Sequence, residues 1–531
     1  MHLKRKLTLF FVGLISFMIL FYYHDPGGNV LIFCALAWGL AVYSQGGFKV
    51  YRKDGGFWLL SLAMWITAGA FTFYGDPGSM GALLLSFYTL GVYMTDKKYH
   101  PLLYPLMLAY SFGSFIVRIF FVERWIPKRK TNAQTPFNEV VTDQMGFAMD
   151  PGAESDDSGR PEPAVSWFKT WLLPIIIVLI FLMVYMASST MFSEVLTKLL
   201  PNLDFTVLFA LAIIGFILLF NFMYILPIPW LYTINEKVLS WDKGSEMTAD
   251  VQQKRLHPYR AAHQKGAIIT LSLLIGLLSL FLLVYGYELY QGIHAARLSK
   301  AIHEQVNSII LSIVMAVAVI MYYIRPATQQ QMGYNKGQKS TARSAYNGGE
   351  PALLHRLAYV WIMLNILLVI SAALHNAAYI GRYGLTLLRI GVYIFLILCI
   401  VGLYFTYRKI RDAASAAWLV AIMFKVFLGT IVLNSIINWG AIITRYNLTY
   451  MAHPDLQYLR NLDYNTHVLV PSLLNDPRYK SDTKLTEEMQ NKLDWDVSYT
   501  HKDILSVAWY YKYVTWQSNR NKSEWAPAKT Q

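Results

Sequence analysis

Long apolar runs alternate with short polar segments along most of the chain. The runs are apolar on all sides, without the alternation of an outer-membrane barrel strand. Lipid leaves no partner for unpaired backbone groups, so each run is predicted to be a helix. The pattern therefore predicts an all-α fold, a polytopic transmembrane helical bundle. The runs span residues 7–23, 29–43, 57–74, 81–94, 102–122, 171–186, 205–225, 267–287, 309–324, 354–373, 385–407 and 416–443.

One run is too short to cross a bilayer. Residues 81–94 would cover only about 20 Å of a ~30 Å hydrocarbon core. We therefore expect eleven or twelve membrane helices, depending on whether this segment crosses, re-enters or lies in the interface. Positive charges orient the bundle, with the N-terminus in the cytoplasm and the C-terminus outside it. The basic segments placed on the cytoplasmic side are Lys4–Lys6, 124–130, 254–265, 325–343 and 408–411.

Polar stretches divide the chain into four parts. Residues 1–122 form an N-terminal transmembrane module, and 167–443 form the main transmembrane domain. Between them, 123–166 is a cytoplasmic linker, predicted to be partly disordered because its acidic, Pro/Gly-rich segment is almost free of bulky apolar residues. Residues 444–531 form a small extracytoplasmic region without a span.

The composition argues against several classes of protein, including soluble and nucleic-acid-binding proteins. The chain is 55% hydrophobic and 15% charged, whereas soluble domains carry roughly 25% charged residues. The net charge of +14 does not indicate nucleic-acid binding, because the basic residues flank the spans. Both cysteines, Cys34 and Cys399, lie inside apolar runs, which argues against a disulfide framework or a cysteine metal site. No motif for catalysis, a cofactor or a metal stands out, so we expect a non-enzymatic protein with no cofactor.

The segment Arg382–Arg389 is costly to place at the edge of hydrocarbon without partners. If helical, its two arginines, seven residues apart, would share one face, and Thr386 would cap the helix that begins at Leu387. Both arginines lie at the predicted outer interface, where we expect them to meet carboxylates, with Asp463 and Asp455 as candidates. Two readings remain open: a structural latch that fastens the C-terminal tail to the bundle, and an anion-binding site. Tyr383, Arg445 and Asn447 belong to this candidate set.

Three polar residues in the last run are further candidates. Lys425 lies near mid-depth and should face the bundle or a water-filled cavity. Asn434 and Asn438 are four residues apart and are predicted to share a face opposite Lys425, where they would join a neighbouring helix. Lys425 has two readings, a substrate or proton role and a structural role.

Residues 383–389 and several downstream segments resemble a known protein family. Tyr383-Gly384-Leu385-Thr386 with Arg389, together with Asn434 and looser pieces downstream, resembles a family of bacterial multi-span membrane proteins whose domain has no assigned function. The likeness covers roughly residues 165–475 and implies a location in the bacterial cytoplasmic membrane. It implies no substrate, cofactor or catalytic residue. The looser matching pieces are 167–196, 445–447, 462–464 and 470–474.

Two functions are compatible with this sequence. The first is a non-enzymatic regulatory, sensing or scaffolding component of the cell envelope. Its partners would be the lipid bilayer and another envelope or signalling protein, with no nucleic acid. The alternative is a transporter or lipid-handling protein that uses a polar intramembrane cavity around Lys425, which would require polar groups to meet near mid-membrane.

Overall fold

Helices are the only regular secondary structure among the residues that the computed structural model describes, and no strand is found among them. Six of its helices are long and apolar enough to cross a membrane. The all-α, membrane-spanning fold predicted from the sequence is therefore confirmed. The residues described are 2–95, 99–115, 204–225, 234–235, 249–290, 315–320, 352–412, 414, 416–479, 482–499, 504–505 and 508–520.

Fifteen α-helices lie within the described ranges. Two 3₁₀-helices, Phe48–Val50 and Pro101–Leu103, join some of them. The α-helices are α1 His2–Phe21, α2 Gly28–Ser44, α3 Gly55–Tyr74, α4 Pro77–Thr95, α5 Tyr104–Gly113, α6 Phe205–Met223, α7 Ala249–Tyr290, α8 Ala352–Tyr383, α9 Leu387–Arg411, α10 Ala416–Ile436, α11 Trp439–Tyr450, α12 Leu456–Arg460, α13 Thr466–Leu474, α14 Thr483–Ser498 and α15 Trp509–Arg520. The six candidate spans correspond to α3, α6, the Lys265–Val284 part of α7, α8, α9 and α10.

The first four helices pack with α6 into one core. Phe10 of α1 is almost fully buried and lies edge-on to rings of α6. The Tyr22 hydroxyl accepts a hydrogen bond from the Asp204 amide at 2.7 Å, and Lys6 lies over the Tyr224 ring. Helices α1 and α6 are therefore antiparallel. Although the predicted linker separates α6 from the N-terminal module in sequence, the helix packs with that module.

A second core joins α7, α8 and α9. It is built from small and aliphatic residues such as Ala267, Ala358 and Leu403, which let helix backbones approach closely in lipid. Helix α10 packs against α9 and also against α3 and α4. This last span therefore connects the second group of helices to the first.

Two predicted elements need correction. The short run 81–94 is part of a 19-residue helix, because Pro77 and the polar residues after it form the helix's first turn. At about 28 Å, the length no longer argues for re-entry. The run 416–443 is not one helix: α10 ends at Ile436, and Asn438 begins α11, which continues past the predicted boundary at 443/444.

Several predicted features lie outside the described residues. They include the linker 123–166, the run 171–186 and most of the run 309–324. The number of crossings, eleven or twelve, stays a prediction for this reason.

Candidate functional site: a cap over the span ends

Helices α11–α15 form a unit that we call the cap. Its core is a cluster of buried apolar side chains, among them Leu469, Val470 and Val514. Ile390, in the first turns of α9, belongs to the same cluster. The cap therefore packs directly on the end of a span.

The turn between α8 and α9 is the first docking point of the cap. Gly384 has φ +80°, which few residues with a side chain adopt. The Asn447 side chain of α11 accepts a hydrogen bond from the Leu385 N–H at 2.6 Å and donates one to the Leu385 carbonyl at 2.9 Å. A Cβ on Gly384 would lie 2.7 Å from the accepting oxygen of Asn447. Glycine at this position thus leaves room for the Asn447 amide.

The Arg389 side chain binds the backbone of the turn between α8 and α9. Its guanidinium donates hydrogen bonds to the carbonyls of Tyr383 and Gly384 and lies 4.2 Å from the centre of the Tyr379 ring. Those carbonyls follow the last turn of α8, where helix C=O groups lack intrahelical partners. Arg389, in the first turn of α9, therefore supplies hydrogen-bond donors to carbonyls at the end of α8.

This arrangement corrects three details of the sequence reading. Arg382 lies in the last turn of α8 and Arg389 in the first turn of α9, so the two arginines do not share a helix face. Arg389 contacts carbonyls and a ring, and no ion pair to Asp463 is found in the part of the chain that the structure describes. Thr386 does occupy the N-cap position of α9, but its side chain makes no capping bond within the described residues.

The second docking point is the junction of α10 and α11. The Asn438 side chain accepts a hydrogen bond from the Ala441 N–H at 2.9 Å and donates one to the Tyr464 carbonyl at 3.0 Å. A Cβ on Gly440 would collide with the backbone carbonyl of Asp463. The loop before α13 therefore lies directly against the start of α11.

Other predicted site residues are separated from this contact. Asn434 bonds the Thr430 carbonyl of its own helix and does not share a helix with Asn438. Asp463 and Arg445 are exposed. Lys425 is also exposed on α10, about 13 Å along a helix of about 31 Å. Of its two predicted surroundings, the bundle and a water-filled cavity, the cavity stays a prediction.

The cap also contacts the N-terminal helices α2 and α3. Phe73 and Tyr74, the last residues of α3, have ring contacts with Tyr510 and Tyr464 at 6.4 Å and 5.4 Å between centroids. The Asn29 N–H at the start of α2 donates to the Leu505 carbonyl at 3.2 Å. The cap therefore contacts both groups of transmembrane helices.

Lys492 and Asp496, both on α14, form a polar cluster within the cap. The Lys492 ammonium donates hydrogen bonds to the carbonyls of Arg460 and Leu462 at 2.7 and 3.2 Å, while burial lowers the pKa of Lys492. Asp496 is 4% exposed. Burial raises its pKa, although a hydrogen bond from Thr466 and the charge of Lys492 oppose this shift.

His467, in the first turn of α13, contacts α15. Its Nδ1 is 3.0 Å from the Tyr510 hydroxyl. Burial, followed by the charge of Arg445, lowers the pKa of His467 to about 4. At neutral pH the ring is therefore neutral and shares a hydrogen bond with the Tyr510 hydroxyl.

Among the described residues, no three His, Cys, Asp or Glu side chains stand close enough together to hold a metal ion. Asn438, Asn447 and Lys492 bond to backbone groups of neighbouring helices and loops, while His467 pairs with a side chain. Sequence reasoning missed the roles of Tyr458, whose hydroxyl accepts a hydrogen bond from the Leu387 N–H at 3.1 Å, and of Asn376, which donates to the Arg389 carbonyl at 3.1 Å.

Comparison with known proteins gives one match. A family model described as "Domain of unknown function (DUF4153)" matches residues 55–470. The matched range begins with α3 and ends within α13, so it includes the turn at Gly384 and the first part of the cap. No curated protein and no solved structure matches the chain.

Proposed function

Because the chain belongs to this DUF4153 family, whose description carries no activity, we propose a function from the geometry of the cap. The protein is a non-enzymatic membrane component with a scaffolding, sensing or regulatory role in the cell envelope. The cap is its contact surface for another envelope or signalling protein. By the resemblance of its turn motif, we place it in the bacterial cytoplasmic membrane.

The observation that supports this proposal is the position of the cap across two groups of helices. Asn447 holds the α8–α9 turn, while Leu505 is bonded to Asn29 at the start of α2. The first contact uses backbone groups of the α8–α9 turn, and the second uses a backbone N–H in the first turn of α2. A partner that pulls or stabilises the cap would therefore act on both groups at once, as a sensor or scaffold requires.

Charge supports an extracytoplasmic cap. Helix α9 begins at the cap and ends at Arg408, Lys409 and Arg411. Helix α1 likewise carries Lys4–Lys6 at the end away from the cap, because its other end leads to the α1–α2 turn. Basic residues favour the cytoplasmic side of a span, so this arrangement supports a cytoplasmic N-terminus and an extracytoplasmic cap.

Photo-crosslinking in intact cells tests the proposal. A photoreactive residue in place of Trp495, which is 55% exposed on α14, should give a discrete protein adduct. The matched control is Leu273, 70% exposed within the candidate span of α7, which should give lipid adducts only. Absence of a protein adduct at Trp495, combined with solute or lipid movement by the purified protein in vesicles, would overturn the scaffold proposal.

The alternative function, a transporter or lipid-handling protein, is supported by Lys425. This residue is exposed near the middle of α10, on one face with Gly429, Leu433 and Ile436. A cation at that depth attracts an anionic group. Asn434 lies about 180° around the helix from Lys425, so the two do not line one cavity. A lipid-scrambling assay in vesicles, with Lys425→Met as the inactive variant, tests this alternative.

A further inference from the structure

Helix α15 has two faces of different character. Tyr510 and Val514 are almost fully buried and pack in the core of the cap. A second face, about 110° around the helix from the buried one, is an exposed stripe that follows helical spacing of four, three and four residues. We call it the aromatic stripe, and it consists of Trp509, Tyr513, Trp516 and Arg520.

Contacts with two span ends fix the depth of the stripe. The Tyr513 ring is 6.5 Å from the ring of Phe73, the next-to-last residue of α3. The Trp509 indole nitrogen lies 3.3 Å from the position of a Cβ on Gly28, the first residue of α2. Ends of membrane helices mark the boundary between hydrocarbon and water. The stripe therefore lies at the level of the headgroups.

The orientation of α15 turns the stripe away from α14, while the Tyr513 ring also contacts His467 of α13, with ring centroids 5.5 Å apart. Tyr511 contacts Trp495 and Tyr499 of α14, with ring centroids 6.2 and 5.2 Å apart. On an α-helix, Tyr511 points about 200° away from Trp509. The stripe thus lies beside the α3 contact and opposite the α14 contact.

We propose that the aromatic stripe binds the headgroup layer of the phospholipid bilayer and holds the cap on the membrane surface. Trp and Tyr are the residues that favour this layer, because their rings are apolar and carry one polar group. The Arg520 guanidinium, 5.3 Å from the centre of the Trp516 ring, supplies a cation for a lipid phosphate. This inference does not depend on the proposed scaffold function.

A spin-label accessibility measurement tests the proposal on the full-length protein. A nitroxide is attached at Trp516→Cys, with Ser518→Cys as the control on the opposite side of α15, in a Cys34→Ala, Cys399→Ala background. In nanodiscs of phosphatidylcholine and phosphatidylglycerol, the ratio of collisions with oxygen to collisions with a water-soluble nickel chelate should be severalfold higher at 516 than at 518. Equal, water-like ratios at both sites would overturn the proposal.

Two further outcomes are decisive. Shielding of the label at 516 from both oxygen and nickel would show that protein covers the stripe, for example a second copy, and would also overturn the proposal. If Trp516→Cys does not fold, quenching of tryptophan fluorescence by lipids brominated near the headgroup replaces the label. Trp516→Phe should then lose part of the quenching that Trp495→Phe retains, and equal quenching in the two variants would refute the headgroup contact.

Discussion

The side-chain amide of Asn447 pairs with both backbone groups of Leu385, 62 residues earlier in the chain. The two hydrogen bonds, of 2.6 and 2.9 Å, resemble those between neighbouring strands, with a side chain in place of one backbone. They connect the first helix of the cap to a turn between two spans. The cap is thereby tied to the spans through an uncharged contact that salt does not screen.

Replacing Asn447 with alanine should release the cap. The substitution leaves the N–H and C=O of Leu385 without this partner, at a local cost of roughly 2–4 kcal/mol. We expect a lower thermal midpoint in detergent and faster proteolysis within residues 451–479. Asn434→Ala is the matched control, because it removes only a bond to Thr430 within one helix. Equal effects of the two variants would show that Asn447 does not fasten the cap.

Gly384→Ala should act on the same contact from the other side. The backbone at φ +80° is strained for alanine by about 1–2 kcal/mol, and the new Cβ would displace the Asn447 amide. Its effect on proteolysis should therefore not add to that of Asn447→Ala in the double variant. Gly391→Ala, in α9 with open space around the position, should be neutral. Full additivity would mean that Gly384 and Asn447 act separately.

The sequence predicts the location of this contact better than its chemistry. Glycine within Tyr383–Thr386, followed by an apolar run, indicates a turn before a span, and the structure has one there. The predicted partner of Arg389 was a carboxylate, because a cation at the membrane edge needs an acceptor. Helix-end carbonyls of Tyr383 and Gly384 supply that acceptor instead. Such carbonyls exist at every helix end, so residue types alone do not reveal which one a side chain reaches.

Helix boundaries are also hard to predict from residue types alone. The break after Ile436 lies inside a run that stays mostly apolar from 416 to 443, so mean hydropathy does not mark it. Asn438 marks it only because its side chain caps α11 and binds Tyr464, a contact between residues 26 positions apart. The first turn of α4 was missed for the opposite reason: Pro77 begins a helix within residues that also suit a loop.

Arg389→Ala should weaken the turn. It removes two hydrogen bonds to carbonyls and the contact with the Tyr379 ring, so we expect a lower thermal midpoint and less protection of the cap from protease. Arg389→Lys should restore part of the loss, since an ammonium donates to carbonyls but lacks the planar fork. Arg382→Ala, which removes an exposed side chain, serves as the control. If Arg389→Ala leaves stability and protection unchanged yet abolishes a cellular function, the anion-site reading of this segment is favoured.

Acid should loosen the cap through His467. Its pKa of about 4 lies below the ordinary value of 6.5, so the unfolded chain binds the proton more readily. The stabilisation by neutral His467 is complete above pH 6.5 and is lost as pH falls towards 4. Partial exposure limits the loss to about 1–2 kcal/mol. The protease sensitivity of the cap should rise over this range, and His467→Gln should reduce the pH dependence. An unchanged pH profile in that variant would exclude His467 as its source.

Lys425→Met separates the two functions most directly. Lys425 is exposed near the middle of α10, and a lysine at the centre of a span costs about 2.5–3.5 kcal/mol on insertion scales. If the protein is a scaffold, methionine should raise the thermal midpoint and leave the crosslink at Trp495 unchanged. Lys409→Met is the control with the opposite sign, because Lys409 is 2% exposed and loss of a buried, partnered charge destabilises. Loss of transport or lipid movement in a stable Lys425→Met protein would instead assign Lys425 to an anionic ligand in the membrane.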